Sequence, residues 1–286
     1  MSTARASGPV LITGCSSGIG RATAERLAGA GWTVYATARR LESIADLEAQ
    51  GCRLLALDVT DEDSMRAAVA TVEQAEGGVG VLVNNAGYSQ GGAVEEVPLE
   101  EVRRQFETNV FGLVRMAQLV LPGMRARRSG RIVNVGSMGG KLTFPGAGFY
   151  HATKYAVEAL SDALRFEVQG FGIRVSLIEP GLIRTQFAET AVSTVDGAGD
   201  GAYARFNRAV AATTVGAYEG PLARLGGGPE TVAKTIARAL DATSPKARYP
   251  VTPSARLIMA QRRLMPDRIW DRFLTTQYPV PGREVT

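Results

Sequence analysis

Three glycines near the start of the chain are spaced for binding a phosphate. Gly14, Gly18 and Gly20 follow an apolar run and open a segment of helix-forming composition. In such a turn the first glycine permits the bend, the second lets the backbone approach a pyrophosphate, and the third lets helix and strand pack closely. Free N–H groups at the helix start would face the anion. The alternative is a tight turn without a ligand, but the strand before it and the helix after it favour a dinucleotide site.

The end of the second apolar run favours a dinucleotide that carries a 2′-phosphate. An Asp or Glu at this point bonds the ribose hydroxyls of NAD and repels a phosphate. Ala38 occupies that position, and Arg39 and Arg40 follow it. Guanidinium groups make strong charge-assisted hydrogen bonds to a phosphate dianion. The alternative is that the arginines only begin a helix. Together with the missing acid, they predict NADP.

Tyr150 and Lys154 are spaced for proton transfer, since residues four apart share one face of a helix. A tyrosine normally titrates at a pKa of about 10. A lysine cation about 4 Å away, at an effective dielectric constant of about 20, contributes roughly 4 kcal/mol, or about three pKa units. That would bring the phenol towards neutrality. Chance matches to this spacing are common, so the pair is a candidate only together with Ser137, which lies upstream at the end of an apolar run.

Short apolar runs alternate with helix-like segments through most of the chain. The runs are nearly continuous in β-branched or aliphatic residues, as parallel strands covered on both faces should be. Strands are predicted at residues 10–12, 33–36, 54–57, 79–83, 132–135, 175–178 and 249–251. Helices are predicted at residues 20–30, 40–50, 61–76, 99–127, 148–170 and 229–242. The alternation predicts an α/β fold with a doubly wound parallel sheet, helices on both faces and right-handed crossovers.

The pattern loosens after Gly181. We interpret residues 186–228, which are rich in small side chains, as a substrate lid or insertion within a single domain that spans residues 1–286. Residues 254–286 are interpreted as a C-terminal helical extension. Four aromatic residues of the lid either line an apolar pocket or pack the lid on the core: Phe187, Tyr203, Phe206 and Tyr218.

The composition is that of an ordinary globular protein, with 45% hydrophobic and 21% charged residues and a net charge of +4. No stretch approaches the ~20 apolar residues of a membrane span, and the first residues do not resemble a signal peptide. We therefore expect a cytoplasmic protein with no membrane partner. Two cysteines, Cys15 and Cys52, and one histidine, His151, support neither a disulfide framework nor a metal site. Cys15 is interpreted as a packing residue, and the basic run 125–131 as a solvated helix end rather than a nucleic-acid patch.

Further motifs complete a pattern that resembles the short-chain dehydrogenase/reductase family. Asn84-Asn85-Ala86-Gly87 follows the fourth strand, Ser137 follows the fifth, Tyr150 and Lys154 open a helix, and Pro180-Gly181 follows the sixth strand. The motifs agree in order and spacing over roughly residues 8–190. The resemblance implies a three-layer Rossmann fold with a sheet of about seven strands. The strand at 35–39 and the long C-terminal tail look like members that act on steroids, retinoids or other lipophilic alcohols.

The resemblance also implies roles for individual residues. In the catalytic set, Tyr150 would exchange a proton with the substrate oxygen, Ser137 would hydrogen bond to that oxygen, Lys154 would lower the tyrosine pKa and grip the cofactor ribose, and Asn109 would hold a water that resupplies protons. His151 is expected to face away from the groove.

The residues expected around the dinucleotide are Gly14, Ser16, Ser17, Gly18, Ile19, Gly20, Arg39, Arg40, Asp58, Val59, Asn85, Ala86, Gly87, Tyr150, Lys154, Pro180, Gly181, Ile183 and Thr185. Asp58 would lie by the adenine amino group and Asn85 near the ribose. The last four would hold the nicotinamide carboxamide.

The function implied is an oxidoreductase that transfers a hydride between NADP(H) and a lipophilic secondary alcohol or ketone. Two alternatives stay open: a sensor or scaffold that binds NADP without turnover, and an epimerase or dehydratase that uses a tightly held cofactor. Family members are commonly dimers or tetramers built on the helices predicted at 99–127 and 148–170, so we expect a homo-oligomer. A small-molecule substrate is expected as the partner, and a nucleic acid is not.

Overall fold

The computed structural model describes residues 7–195 and 201–283. Its strands are β1 (Val10–Ile12), β2 (Val34–Ala38), β3 (Arg53–Ala56), β4 (Val81–Asn84), β5 (Gly130–Val135), β6 (Ile173–Glu179) and β7 (Arg248–Pro250). All pairings are parallel, in the order β3-β2-β1-β4-β5-β6-β7. This confirms the doubly wound sheet of seven strands. The strand order reverses between β1 and β4, and the crevice at their carboxyl ends is where such sheets bind ligands.

Helices cover both faces of the sheet. They are α1 (Gly18–Gly29), α2 (Glu62–Glu76), α3 (Leu99–Phe106), α4 (Gly112–Arg127), α5 (Gly148–Val168), α6 (Phe187–Ser193), α7 (Ala204–Glu219), α8 (Pro229–Asp241), α9 (Pro253–Leu264) and α10 (Asp267–Gln277). Within the described ranges, none of these helices is long and apolar enough to cross a membrane.

The central strands are buried on both sides, which explains why they are continuously apolar in the sequence. On β1, Val10 packs in one cluster with Leu27 of α1 and Ile236 of α8. Its neighbour Leu11 belongs to a second cluster, with Met116 of α4. Because successive side chains of a strand point to opposite faces, a strand between two helical layers must be apolar at every position.

Two of the predicted helices are wrong in type or continuity. Segment 40–50 contains a 3-10 helix at Leu41–Leu47, whose buried residues Ile44 and Leu47 are three apart and therefore lie on one side of a 3-10 turn. Segment 99–127 is interrupted by a π-helical turn at Glu107–Phe111 between α3 and α4. In both places packing, rather than local propensity, decides the hydrogen-bond pattern.

The predicted lid region contains α6, α7 and a 3-10 helix at Pro221–Leu225. It contacts the loop after β4: the Asn207 side chain accepts from the Ala93 N–H (3.2 Å) and donates to Glu96 (2.7 Å). Helices α9 and α10 lie in the segment interpreted as a C-terminal extension. Three short ranges lie outside the described residues: 1–6 of the predicted domain, 196–200 of the lid and 284–286 of the extension.

Candidate active site

The glycine loop between β1 and α1 is packed so tightly that two of its three glycines leave no room for a side chain. Gly14 has a φ of +74°, and a Cβ atom there would lie 2.9 Å from the Cα atom of Ala86. A Cβ atom at Gly20 would lie 2.2 Å from the carbonyl oxygen of Gly14. Neither position accepts a side chain without a backbone shift. The two glycines therefore let the loop pack closely against the end of β4 and the start of α1, which is the arrangement of a dinucleotide-binding turn.

Thr13 and Asn85 fasten this loop to the end of β4. The Thr13 hydroxyl accepts hydrogen bonds from the backbone N–H groups of Asn85 (2.9 Å) and Ala86 (3.0 Å). The Asn85 side-chain amide donates to the carbonyl oxygens of Thr13 and Gly14, at 2.9 Å each. Thr13 is a site residue that sequence reasoning missed, although its place before the first glycine was a signal. The place of Asn85 near the ribose stays a prediction.

The end of β2 presents two cations where an acid would favour NAD. Ala38 is buried, and Arg39 and Arg40 after it are exposed. Asp58, after β3, uses its carboxylate locally and accepts from the N–H (2.9 Å) and hydroxyl (2.8 Å) groups of Thr60. The glycine loop, the arginines and Asp58 all lie at the carboxyl ends of adjacent strands. These residues fit a nicotinamide dinucleotide with a 2′-phosphate.

The loop after β6 closes the other side of this crevice. Thr185 lies beside the glycine loop, since a Cβ atom at Gly18 would be 3.4 Å from its side chain. The backbone carbonyl of Pro180 accepts from the Met138 N–H at 2.9 Å. A Cβ atom at Gly181 would lie 2.3 Å from the Thr252 hydroxyl, so this turn is packed tightly against the start of α9. The structure therefore brings the predicted carboxamide loop to the predicted pyrophosphate loop.

Ser137 and Tyr150 meet between the end of β5 and the first turn of α5. The Ser137 hydroxyl is hydrogen bonded to the Tyr150 phenol and accepts from the Gly139 N–H at 3.0 Å. Burial raises the pKa of Tyr150 above its ordinary value, the Ser137 hydrogen bond opposes the rise, and nearby Tyr218 adds to it. At neutral pH the phenol thus keeps its proton and can donate it.

Lys154 lies one turn beyond Tyr150, as the spacing predicts. Its ammonium group donates to the carbonyl oxygen of Val135 at 3.0 Å and lies 5.7 Å from the centroid of the Tyr150 ring. Burial lowers the pKa of Lys154 to about 8. The predicted lowering of the tyrosine pKa is wrong for this arrangement, because the loss of water around the buried phenol is the largest effect on its pKa and raises it.

Asn109 lies in the π-helical turn and joins two parts of the site. Its side-chain oxygen accepts from the Tyr88 N–H (3.0 Å), and its amide donates to the Tyr88 carbonyl (2.8 Å) and to the Thr153 hydroxyl (3.1 Å). Thr153 in turn donates to the Tyr150 carbonyl at 2.7 Å. Such turns often mark functional positions in helices. Asn109 thus connects the loop after β4 to the first turn of α5, and its predicted water stays a prediction.

Two residues next to the site, His151 and Cys15, are buried. His151 Nε2 accepts from the Phe144 N–H at 3.1 Å, and Nδ1 lies 2.9 Å from the Gly139 carbonyl oxygen. Burial lowers the pKa of His151, so the ring is neutral and both of its nitrogens are engaged. Burial raises the pKa of the Cys15 thiol to about 12, which leaves no thiolate for redox chemistry at neutral pH.

An apolar cluster lies next to the Ser137–Tyr150 pair. It begins with Met138, the residue after Ser137, and draws on the loop after β6, α7 and α9. Its members are Met138, Leu182 and Ala255, with Phe144, Ala217, Tyr218, Ile258 and Met259 packed against them.

The lid aromatics whose side chains are described differ in position: one lies beside the candidate active site, and two pack the lid on the rest of the fold. Tyr218 lies in the apolar cluster beside Tyr150. Tyr203 and Phe206 instead form a separate cluster with Ala93 and Tyr278, where they fasten α7 to the rest of the fold. The side chain of Phe187 lies outside the described residues.

Comparison with known proteins agrees with this architecture. The family model for the short chain dehydrogenase matches residues 9–196, and the chain belongs to that family. Among solved structures, a short-chain dehydrogenase from Streptomyces avermitilis has a TM-score of 0.76 and 35% identity, covering 94% of this chain and 96% of its own. The closed form of a serine dehydrogenase complexed with NADP+ has a TM-score of 0.74 and 29% identity, covering 86% and 94%.

Three curated relatives carry names that describe an activity. The 3-ketodihydrosphingosine reductase of Bacteroides thetaiotaomicron is 45% identical over 63% of this chain and 65% of its own length. The NADPH-dependent 3-dehydrocapnine reductase of Ornithobacterium rhinotracheale is 35% identical over 92% and 94%. The 17-beta-hydroxysteroid dehydrogenase type 1 of Mus musculus is 40% identical over 84% and 72%. Family and relatives support an oxidoreductase that transfers hydride between a nicotinamide cofactor and an alcohol or ketone.

Proposed function

We propose that the chain is an NADPH-dependent reductase of lipophilic ketones, able to run in reverse on the corresponding secondary alcohols. The observation that carries the proposal is a Ser137 hydroxyl hydrogen bonded to a buried, protonated Tyr150 at the edge of an apolar cluster. The exposed Arg39 and Arg40 after Ala38 support NADPH over NADH. The name of the 3-dehydrocapnine reductase supports the same cofactor.

Each residue of the site has a separate part in the mechanism. When bound by the glycine loop, the arginines and the loop after β6, NADPH supplies the hydride. Ser137 donates a hydrogen bond to the substrate oxygen and orients it. Tyr150 gives its phenol proton to the same oxygen as general acid, and takes it back as general base in the reverse direction. Lys154, with a pKa of about 8, is mostly protonated at pH 7 and stabilises the phenolate left on Tyr150.

The substrate class follows from the side chains next to this pair. Met138, Leu182 and Tyr218 offer an apolar surface with few groups that could hydrogen bond to a sugar or bind an acid. Two relatives have names that refer to a sphingoid ketone and a steroid alcohol, both lipophilic molecules. Residues 186–228 would close over such a substrate as a lid and exclude water.

The proposal includes one domain at residues 1–286, with the lid at 186–228 and the extension at 254–286, in a cytoplasmic homo-oligomer. Exposed aromatic side chains on the helices predicted to form the subunit interface, Phe111, Tyr155 and Phe166, support the oligomer. Light scattering of the purified chain tests its number of subunits.

The experiment is NADPH oxidation with a panel of cyclic and long-chain ketones, run alongside small keto acids and sugars. We expect turnover with the hydrophobic ketones. Tyr150→Phe should lower kcat by ~100-fold or more, because it removes the transferable proton and keeps the ring. Tyr155→Phe, on the same helix but exposed, is the matched control and should leave kcat unchanged. A Tyr150→Phe enzyme with most of its activity would refute the assignment.

The same assay separates the two alternatives. A sensor or scaffold would bind NADPH without consuming it in the presence of any ketone. An epimerase or dehydratase would convert substrate with no net oxidation of NADPH. Preference for small acids or sugars would contradict the proposed lipophilic substrate while leaving the oxidoreductase assignment intact.

A further inference from the structure

The two C-terminal helices expose apolar side chains on their outer surface. Five of the fourteen large apolar side chains that are exposed among the described residues lie in residues 253–283. Leu257 and Leu264 are two turns apart on α9, and Ile269 and Phe273 are one turn apart on α10, so each pair shares a helix face. Leu264 is 82% exposed. Exposure of such an apolar surface to water is unfavourable.

The same helices are rich in arginine. They contain five arginines against two aspartates, Asp267 and Asp271, and no lysine or glutamate. Arg262 pairs with Asp267 at 2.6 Å. The other four, Arg256, Arg263, Arg268 and Arg272, are exposed. Exposed apolar groups beside exposed cations are the composition of helices that lie on an anionic lipid surface.

The inner side of these helices belongs to the apolar cluster of the active site. Ala255, Ile258 and Met259 of α9 pack with Met138 and Leu182. On α10 the buried Trp270 ring lies 5.8 Å from the ring of Phe144. Helices α9 and α10 therefore form a wall that contacts the cluster next to Ser137 on one side and presents exposed apolar and cationic groups on the other.

We infer that α9 and α10 dock the enzyme on the surface of an anionic lipid bilayer, so that a membrane-dissolved substrate reaches the active site beside them. This is a peripheral contact, and it departs from the expectation that a membrane is not a partner. A second copy of the chain is a poorer occupant, because a two-fold contact would place the exposed arginines of both copies against each other. Anionic headgroups neutralise those arginines while the acyl boundary takes up the apolar side chains.

The test is co-sedimentation of the full-length protein with vesicles of phosphatidylcholine alone or mixed with phosphatidylglycerol. The wild type should bind the mixed vesicles, and binding should weaken at high salt. Ile269→Glu and the double variant Arg268→Glu/Arg272→Glu should each lower binding by at least ~10-fold. Phe171→Glu is the control, since Phe171 is 40% exposed and lies outside α9, α10 and the helices predicted to form the subunit interface. It should bind as the wild type does.

Three results would overturn the inference. In the first, the wild type stays in solution with both kinds of vesicle. In the second, the Ile269→Glu variant binds vesicles as well as the wild type does. In the third, light scattering shows that Ile269→Glu dissociates a dimer. The purpose of the contact rests on the proposed function, but vesicle binding is measured without cofactor or ketone. Wild-type protein that does not bind vesicles but oxidises NADPH with the ketones would therefore refute only this inference. Wild-type protein that binds the mixed vesicles but does not oxidise NADPH would refute only the proposed function.

Discussion

A buried pair of carboxyl groups beside the active site allows a quantitative prediction of how stability depends on pH. Glu158 of α5 and Glu179 of β6 are both buried. Burial, followed by contact with Glu158, raises the pKa of Glu179 from 4.5 to about 7. Arg248 and Lys141 bind the Oε2 atom of Glu158 at 3.0 and 2.6 Å. Its buried Oε1 atom has no hydrogen-bond partner among the described residues, and a proton on Glu179 would supply one.

The sign follows from the direction of the shift. In the unfolded chain Glu179 loses its proton near pH 4.5, whereas in the folded chain it keeps the proton up to about pH 7. Between these values the folded state binds more protons, so the free energy of unfolding falls as pH rises. At about 1.4 kcal/mol for each pKa unit, the full effect is roughly 3 kcal/mol. This loss of stability is complete once the pH is above the folded-state pKa of Glu179.

The assay is urea unfolding of the wild type and of Glu179→Gln from pH 4.5 to pH 8. Glutamine keeps the shape and a hydrogen-bond donor but cannot ionise. As the pH rises across this range, the free energy of unfolding of the variant should therefore increase by about 3 kcal/mol relative to that of the wild type. Asp162→Asn is the control: its partners Arg248 and Arg165 lower the pKa of Asp162 below its ordinary 3.8, so Asp162 is ionised in both the folded and the unfolded chain over this range, and the curve of this variant should run parallel to that of the wild type. Parallel curves for the wild type and Glu179→Gln would refute the reasoning.

Three further predictions concern the cofactor and the lid. The specificity constant should be at least ~10-fold higher with NADPH than with NADH, or about 1.4 kcal/mol, and Ala38→Asp should narrow or reverse that ratio; equal use of both cofactors by the wild type would contradict it. Lys154→Ala should lower kcat and weaken NADPH binding measured by titration, whereas an effect on neither would remove Lys154 from the site. Hydrogen exchange in residues 186–228 should slow when NADPH and substrate bind, and unchanged protection would argue against a lid.

The fold could be predicted because its central strands are buried on both sides. Burial on both faces makes the strands apolar at every position, and such runs stand out between helical segments. The 3-10 helix at Leu41–Leu47 and the π-helical turn at Glu107–Phe111 could not be predicted in this way. They differ from α-helix by one hydrogen-bond position, and tertiary packing supplies the small energy that decides between them.

The chemistry of the site was only partly predictable. The spacing of Tyr150 and Lys154 correctly placed them one turn apart on α5. The predicted direction of the Tyr150 pKa shift was wrong: the charge of Lys154 alone would lower this pKa, but the fold removes water from the phenol and burial raises it. The sequence offered four aromatic residues of the lid as possible neighbours of the substrate. Of the three whose side chains are described, only Tyr218 lies beside Tyr150, and this depends on the path of α7.

Helix α5 shows which features of the site follow from the sequence alone and which depend on the fold. Tyr150, Lys154 and Glu158 recur at intervals of four, so their common face could be read directly from the sequence. The contacts of Glu158 could not be read in this way, because its partners come from β6, from β7 and from the segment after β5. One face of α5 thus carries the proton donor in its first turn and, about two turns further on, one member of the buried acid pair. Tyr150→Phe should change turnover with little effect on stability. Glu179→Gln should change the pH dependence of stability, and below about pH 7, where the wild-type pair already holds its proton, it should leave turnover close to that of the wild type.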